Sequence, residues 1–109
     1  MLRELIWLGD SKRVVSRFPS SIKEDLGFQL YQLQKGKMPL RSRPMKSIGG
    51  GVFELKEQDH LAWYRIIYVT QIKAKIFILH CFKKQSAKTS KVDLELAKNR
   101  LKQISQELS

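Results

Sequence analysis

The 109-residue chain carries 21 Lys and Arg against 10 Asp and Glu, a net charge of +11 and a pI near 10.1, with 42% hydrophobic and 9% aromatic residues. That length supports one hydrophobic core, so a single domain over residues 1–109 is expected, with an anionic partner: nucleic acid, an anionic membrane or an acidic protein. A membrane is the least favoured of these, because no apolar run approaches the ~18 residues of a span and no polybasic amphipathic helix stands alone.

The stretch MLRELIWLGDSK is not expected to be a signal peptide, since Glu4 interrupts its short apolar part and no small-residue cleavage site follows. A cytoplasmic location is expected. The lone cysteine, Cys81, forms no disulfide within the chain and fits a reducing compartment; inside FILHCF it reads as a small buried apolar residue.

In chain order, RELIWL (Arg3 to Leu8) reads as a first strand, ended by Gly9-Asp10-Ser11. Ser11 to Arg17 reads as a short helix that stops at Phe18-Pro19. Ser21 and Glu24 have capping-box spacing for a second helix, with Ile22, Leu26, Leu30 and Leu33 as its apolar stripe and Lys35-Gly36 as its stop. The prolines of KMPLRSRPMK make Lys37 to Lys46 extended or looped; Met45 to Ile48 is expected to enter the sheet, and Gly49-Gly50-Gly51 to turn. These glycines lack the spacing of a phosphate-binding loop.

Val52 to Lys56 follows as a strand that alternates Phe53 and Leu55 against Glu54 and Lys56. Leu61 to Lys84 then reads as a central hairpin, reversed within TQIKAK without an Asn-Gly signature. In its first strand Trp63, Arg65, Ile67 and Val69 share one face, and Tyr64, Ile66, Tyr68 and Thr70 the other; both are largely apolar, which places the strand centrally. A polar loop, QSAKTS, leads to a last helix with Ser90 and Asp93 at capping-box-like spacing and Leu94, Ala97, Leu101, Ile104 and Leu108 as a stripe. The order β-α-α-β-β-β-β-α predicts an α+β fold, a mostly antiparallel sheet with helices packed on one face.

No acidic residue lies between His60 and Val92, so Arg65, Lys73, Lys75, Lys83, Lys84, Lys88 and Lys91 have no neutraliser near them in sequence. Metal-binding Cys and His clusters and nucleophile elbows are missing, so neither a metal nor a cofactor is expected. What remains is a set of cations on neighbouring strands: Lys46, Lys56, Arg65, Lys83 and Lys84, with Tyr64 and Tyr68 beside them. Such a set suits phosphodiester cleavage by the substrate's own 2′-hydroxyl, which needs a proton acceptor, cations around phosphorus and a donor to the leaving oxygen. Lysine serves as the base where burial and other cations depress its pKa, and arginine holds phosphate oxygens in pairs.

Each residue also has a plainer reading. Arg65 fits an ion-paired strand residue, and Lys56 a solvated strand-end charge. His80 alternates with Ile76, Ile78 and Phe82 as a core histidine would. Trp63 and Tyr64 read as core before they read as base-stacking platforms. RSRPMK, with Arg41, Arg43 and Lys46, reads equally as a phosphate-tracking arm or a solvated loop.

Taken in order, GGGVFELK, WYRIIY, IFILHCFKKQSAKT and VDLELAKNR resemble the HigB-type, phage-derived branch of the RelE/ParE toxin superfamily, with its G-x-F-E-L-R, Y-R-x-x-Y, L-L-H-x-F-x-K-K-x-x-K-T and A-x-x-R motifs. PSSIKEDLGFQLYQLQKG is similar to the family's helix before its second strand, so the resemblance covers nearly the whole chain. It implies the toxin of a type II toxin–antitoxin pair: a metal-independent endoribonuclease acting on messenger RNA in the ribosome, neutralised by a helix-turn-helix antitoxin. By motif, Arg65 and the pair Lys83 and Lys84 are carried over as catalytic. Lys56 stands where the family usually has arginine, keeping the charge without the bidentate fork. His80 and Lys88 match L-H-x-F and K-T, where a structural or RNA-contacting role is as well supported as catalysis. Relatives with the same fold act on DNA gyrase, so a non-nuclease inhibitor of a protein target and a non-catalytic RNA-binding module stay open as alternatives.

Overall fold

The computed structural model describes residues 1–86 and 88–108, with Gln71 and residues 106–108 described by backbone alone; expectations for Ala87 and for the Leu108 side chain lie outside it. Along the chain come β1 (Leu5–Trp7), α1 (Ser11–Ser16), α2 (Ser20–Gln34), β2 (Ser42–Pro44), β3 (Val52–Gln58), β4 (Trp63–Ile72), β5 (Lys75–Lys84) and α3 (Lys91–Leu108). This is the expected α+β order. One five-stranded sheet runs β1-β5-β4-β3-β2, antiparallel except for the parallel β1–β5 pair.

The helices lie on both faces of this sheet, not on one. Ile22, Leu26, Leu30 and Leu33 of α2, with Val14 and Val15 of α1, pack against Leu55, Tyr64, Ile66, Tyr68, Ile76 and Ile78. On the opposite face, Ala97, Leu101 and Ile104 of α3 cover Val52, Ile67, Val69, Phe77, Leu79 and Phe82. Strands apolar on both sides need cover on both, at about 1.5–3 kcal/mol for each large side chain buried.

Helix α2 starts two residues earlier than its capping-box signal, which places the N-cap at Ser21. Pro19 precedes it, no side chain caps it, and Ser21 sits inside the first turn. Its end follows the expected stop: Gly36 has φ 84, and Lys37 N–H and Gly36 N–H donate to Gln32 O and Leu33 O, each at 2.9 Å. The signal at α3 is realised, with Ser90 Oγ accepting from Asp93 N–H at 3.2 Å and donating to Asp93 Oδ2 at 2.6 Å.

Met45 to Ile48 forms a turn instead of the expected strand, with Met45 N–H donating to Val52 O at 2.8 Å and Ile48 N–H to Met45 O at 3.0 Å. The strand lies just before it, at β2, where Pro44 is tolerated because β2 is an edge.

The hairpin turns through Lys73 and Ala74, whose φ angles are 51° and 57°. Both central residues have the positive φ of a type I′ turn, which explains how the chain reverses so tightly without Asn-Gly. A left-handed conformation costs an L-residue roughly 1–2 kcal/mol, so Ala74→Gly is expected to raise stability by about 0.5–1 kcal/mol. An unchanged or lower urea midpoint would contradict that conformation.

Strand β5 carries a bulge that decides where the polar residues go. Ile67 pairs with His80 but Tyr68 pairs with Ile78, which leaves Leu79 as an extra residue. His80 therefore lies with Phe82 and Ile67 on the α3 face, not with Ile76 and Ile78 as simple alternation predicts.

Candidate active site

Pairing sorts the sequence-predicted cations by face, because residues directly opposite each other in a ladder share one side. Arg43 is opposite Glu54, Lys56 opposite Arg65, Arg65 opposite Phe82, and Trp63 opposite Lys84. All lie on the α3 face. There Arg43, Lys46, Arg65 and Lys88, with Glu54 and Thr89, surround a cleft of about 570 Å³. Lys88 and Thr89 also line an adjoining cleft of about 460 Å³ with Lys84, Ser86, Ser90 and Lys91.

Other predicted residues are elsewhere. Lys83 is opposite Tyr64, on the α1–α2 side of the sheet. Tyr64, expected to contact RNA, is 1% exposed and donates its hydroxyl to Asp59 Oδ2 at 3.0 Å, so no base reaches its ring. Arg41 pairs with Glu57 at 3.3 Å on that same side. Residues 41–43 thus divide, with Arg43 at the cleft and Arg41 away from it.

Arg65 is 2% exposed and does not lack a neutraliser. Its Nη1 donates to Glu54 Oε1 at 2.6 Å and to Thr89 Oγ1 at 3.2 Å, while Thr89 donates to Glu54 Oε2 at 2.9 Å. The carboxylate comes from the neighbouring strand, beyond the reach of a count along the sequence. Among the described residues, Arg65 Nε and Nη2 are buried without a hydrogen-bond partner.

Lys56 holds its ammonium 4.9 Å above the Trp63 ring. Its pKa is lowered, first by partial burial and then by the charges of Arg43 and Arg65, with Glu54 opposing them. In the adjoining cleft Asp93 gathers Lys84 Nζ at 3.1 Å, His80 Nε2 at 2.8 Å and the Ser90 hydroxyl. Burial works against ionisation of Asp93, but the hydrogen bonds from Ser90, His80 and Lys84 outweigh it and hold the carboxyl below its ordinary range. His80 is 5% exposed and stacks on Phe82 with ring centroids 4.9 Å apart, behind the cleft and not in it. Burial pushes the Cys81 thiol up to about 12, which leaves it inert.

A family model described as Phage derived protein Gp49-like (DUF891) matches residues 13–102. The chain belongs to this family. Gp49-like proteins are a RelE/HigB-type, toxin-like family, which implies an antitoxin partner. No curated protein matches the chain. The Gp49-like match covers α2 and β2 to β5 in full, with most of α1 and α3, and so includes both clefts.

Three residues of the candidate site were not read from the sequence: Glu54, Thr89 and Asp93. Glu54 left a signal, since a carboxylate sharing the Lys56 face of a strand next to an arginine-bearing one is a pairing candidate. Thr89 and Asp93 reach the site through the loop and α3, and no periodicity announces that approach. Among the described residues no group of three or more His, Cys, Asp and Glu is placed to hold a metal ion, and no helix is long and apolar enough to cross a membrane.

Proposed function

We propose that this Gp49-like protein is a HigB-type toxin of a type II toxin–antitoxin pair, and that its cationic cleft is the active site of a ribonuclease cutting messenger RNA on the ribosome. Its partner in neutralisation is a helix-turn-helix antitoxin. The observation that carries the reading is the convergence of Arg43, Lys46, Arg65 and Lys88 on one cleft, with Lys56 opposite Arg65 in the ladder and its pKa depressed.

Those groups divide the reaction among them. Lys56, once it has given up its own proton, takes the proton of the 2′-hydroxyl, whose oxygen attacks phosphorus. Arg65, Lys46 and Arg43 offset the charge that grows on the phosphoryl oxygens. The bond from phosphorus to the 5′-oxygen breaks, Lys88 gives that oxygen a proton, and a 2′,3′-cyclic phosphate remains. Lys84 and Lys91 hold the neighbouring backbone in the adjoining cleft.

Induction of the wild-type chain and of Arg65→Lys at matched soluble levels, followed by mapping of transcript 5′ ends and growth, tests this reading. Wild type is expected to give translation-dependent breaks and growth arrest. Arg65→Lys keeps the charge without the fork and is expected to lose roughly 10²-fold or more of the cleavage. Arrest without breaks would overturn the ribonuclease reading and turn the search to a protein target such as DNA gyrase.

A further inference from the structure

We propose that Glu54, acting through Arg65, lowers the cleft's affinity for the doubly charged phosphate at a strand's end relative to the singly charged phosphodiester inside a strand. This rests on reading the cleft as a phosphate site. Glu54 is then a positioning and selectivity residue.

The side chains fix which part of Arg65 is free. Nη1 is committed to Glu54 at 2.6 Å and to Thr89 at 3.2 Å. Both Glu54 oxygens are occupied as well, one by Arg65 and the other by the Thr89 hydroxyl at 2.9 Å. The triad thus holds the guanidinium from one side and leaves its Nε–Nη2 edge without a partner among the described residues. That edge is a two-donor fork that matches two oxygens of one phosphate. Unpaired donors in so buried a place are costly, so the edge holds binding capacity that the folded chain does not use. Arg65 and Glu54 both line the cleft, and the exposed Arg43, Lys46 and Lys88 are the long rim side chains that swing aside to admit a phosphate.

Charge decides which phosphate is admitted. An internal diester brings two non-bridging oxygens and one charge, whereas a terminal phosphate brings a second charge above its second pKa of about 6. Glu54 is 2% exposed and fixed, so its charge is poorly screened from a ligand on the neighbouring guanidinium. Arg43, Lys46, Lys56 and Lys88 attract both ligands through flexible side chains. The fixed carboxylate opposes the second charge and so reduces the advantage that the cations give the doubly charged ligand.

The test titrates the full chain with two probes, an all-deoxy trinucleotide with hydroxyl ends and thymidine 5′-monophosphate. It reads the Arg65 Nε resonance at about pH 8 and about pH 5, on either side of the phosphate's second ionisation. Wild type is expected to gain less monophosphate affinity between the lower and the higher pH than Glu54→Gln does, with the trinucleotide little changed. Glu54→Gln is expected to raise the monophosphate-to-trinucleotide affinity ratio on the order of tenfold at the higher pH and to leave it unchanged at the lower one. A purely structural Glu54 would weaken both probes alike at both pH values, and that result overturns the proposal. So does an equal ratio in wild type and Glu54→Gln at the higher pH, or a ratio that moves in the charge-keeping Glu54→Asp. A ratio that shifts in Glu54→Gln while wild type leaves transcripts uncut removes the ribonuclease reading alone; transcripts cut by wild type with no such shift remove this proposal alone.

Discussion

Arg65→Ala is expected to lower stability by about 3–5 kcal/mol, because it leaves the Glu54 carboxylate buried without its cation. Replacing both partners, as in Glu54→Leu with Arg65→Met, is expected to recover most of that loss, since no uncompensated charge is left on the strands. Urea midpoints of the two single variants and the double variant measure the coupling. An Arg65→Ala protein within about 1 kcal/mol of wild type would contradict a dry ion pair at this place. It follows that lost toxicity in Arg65→Ala alone says little about chemistry. The charge-keeping Arg65→Lys is the variant that separates activity from folding.

Lys56→Met is expected to lower cleavage by roughly 10²–10⁴-fold, the usual contribution of a general base, with stability held or slightly raised. Stability does not fall because the ammonium stands beside Arg43 and Arg65, whose charges together with burial disfavour its protonated form. The sign of the pH dependence follows. With the folded pKa below the ordinary lysine value of 10.5, cleavage rises with pH up to the folded pKa and then levels off. Above that, between the folded and unfolded pKa values, the unfolded chain binds more protons than the folded one, so stability rises with pH there. Lys56→Arg distinguishes base from electrostatics: it keeps the charge but does not give up its proton, and is expected to lose as much activity as Lys56→Met. An active Lys56→Arg would assign the base elsewhere.

The order of elements was legible because apolar runs, prolines and glycines marked most boundaries locally, from Phe18-Pro19 to the Gly36 stop, whereas the start of α2 and the strand expected at Met45 to Ile48 were misplaced. The two-sided strand Trp63–Ile72 was legible for the same reason, yet its two apolar faces were not carried through to helices on both, and one covered face was expected. Alternation failed at β5, where the Leu79 bulge moves His80 across the sheet. It also misled in the lysine pair, since consecutive strand residues point to opposite sides and Lys83 and Lys84 cannot both face one cleft. The Glu54–Arg65 pair escaped a search for nearby acids because strands bring together residues that are distant along the chain. Lys56, Arg65, Lys46 and Arg43 were found by their charge. Which of them meet was set by register.

The most direct test is the chemistry of the cut ends. RNA cleaved by the purified chain in a translating system is expected to carry 5′-hydroxyl and 2′,3′-cyclic phosphate ends, and a single 2′-deoxy substitution at the nucleotide on the 5′ side of the cut should abolish cleavage there. Products with 5′-phosphate ends, or unchanged cutting of the deoxy-substituted strand, would contradict an active site built on the substrate's own 2′-hydroxyl.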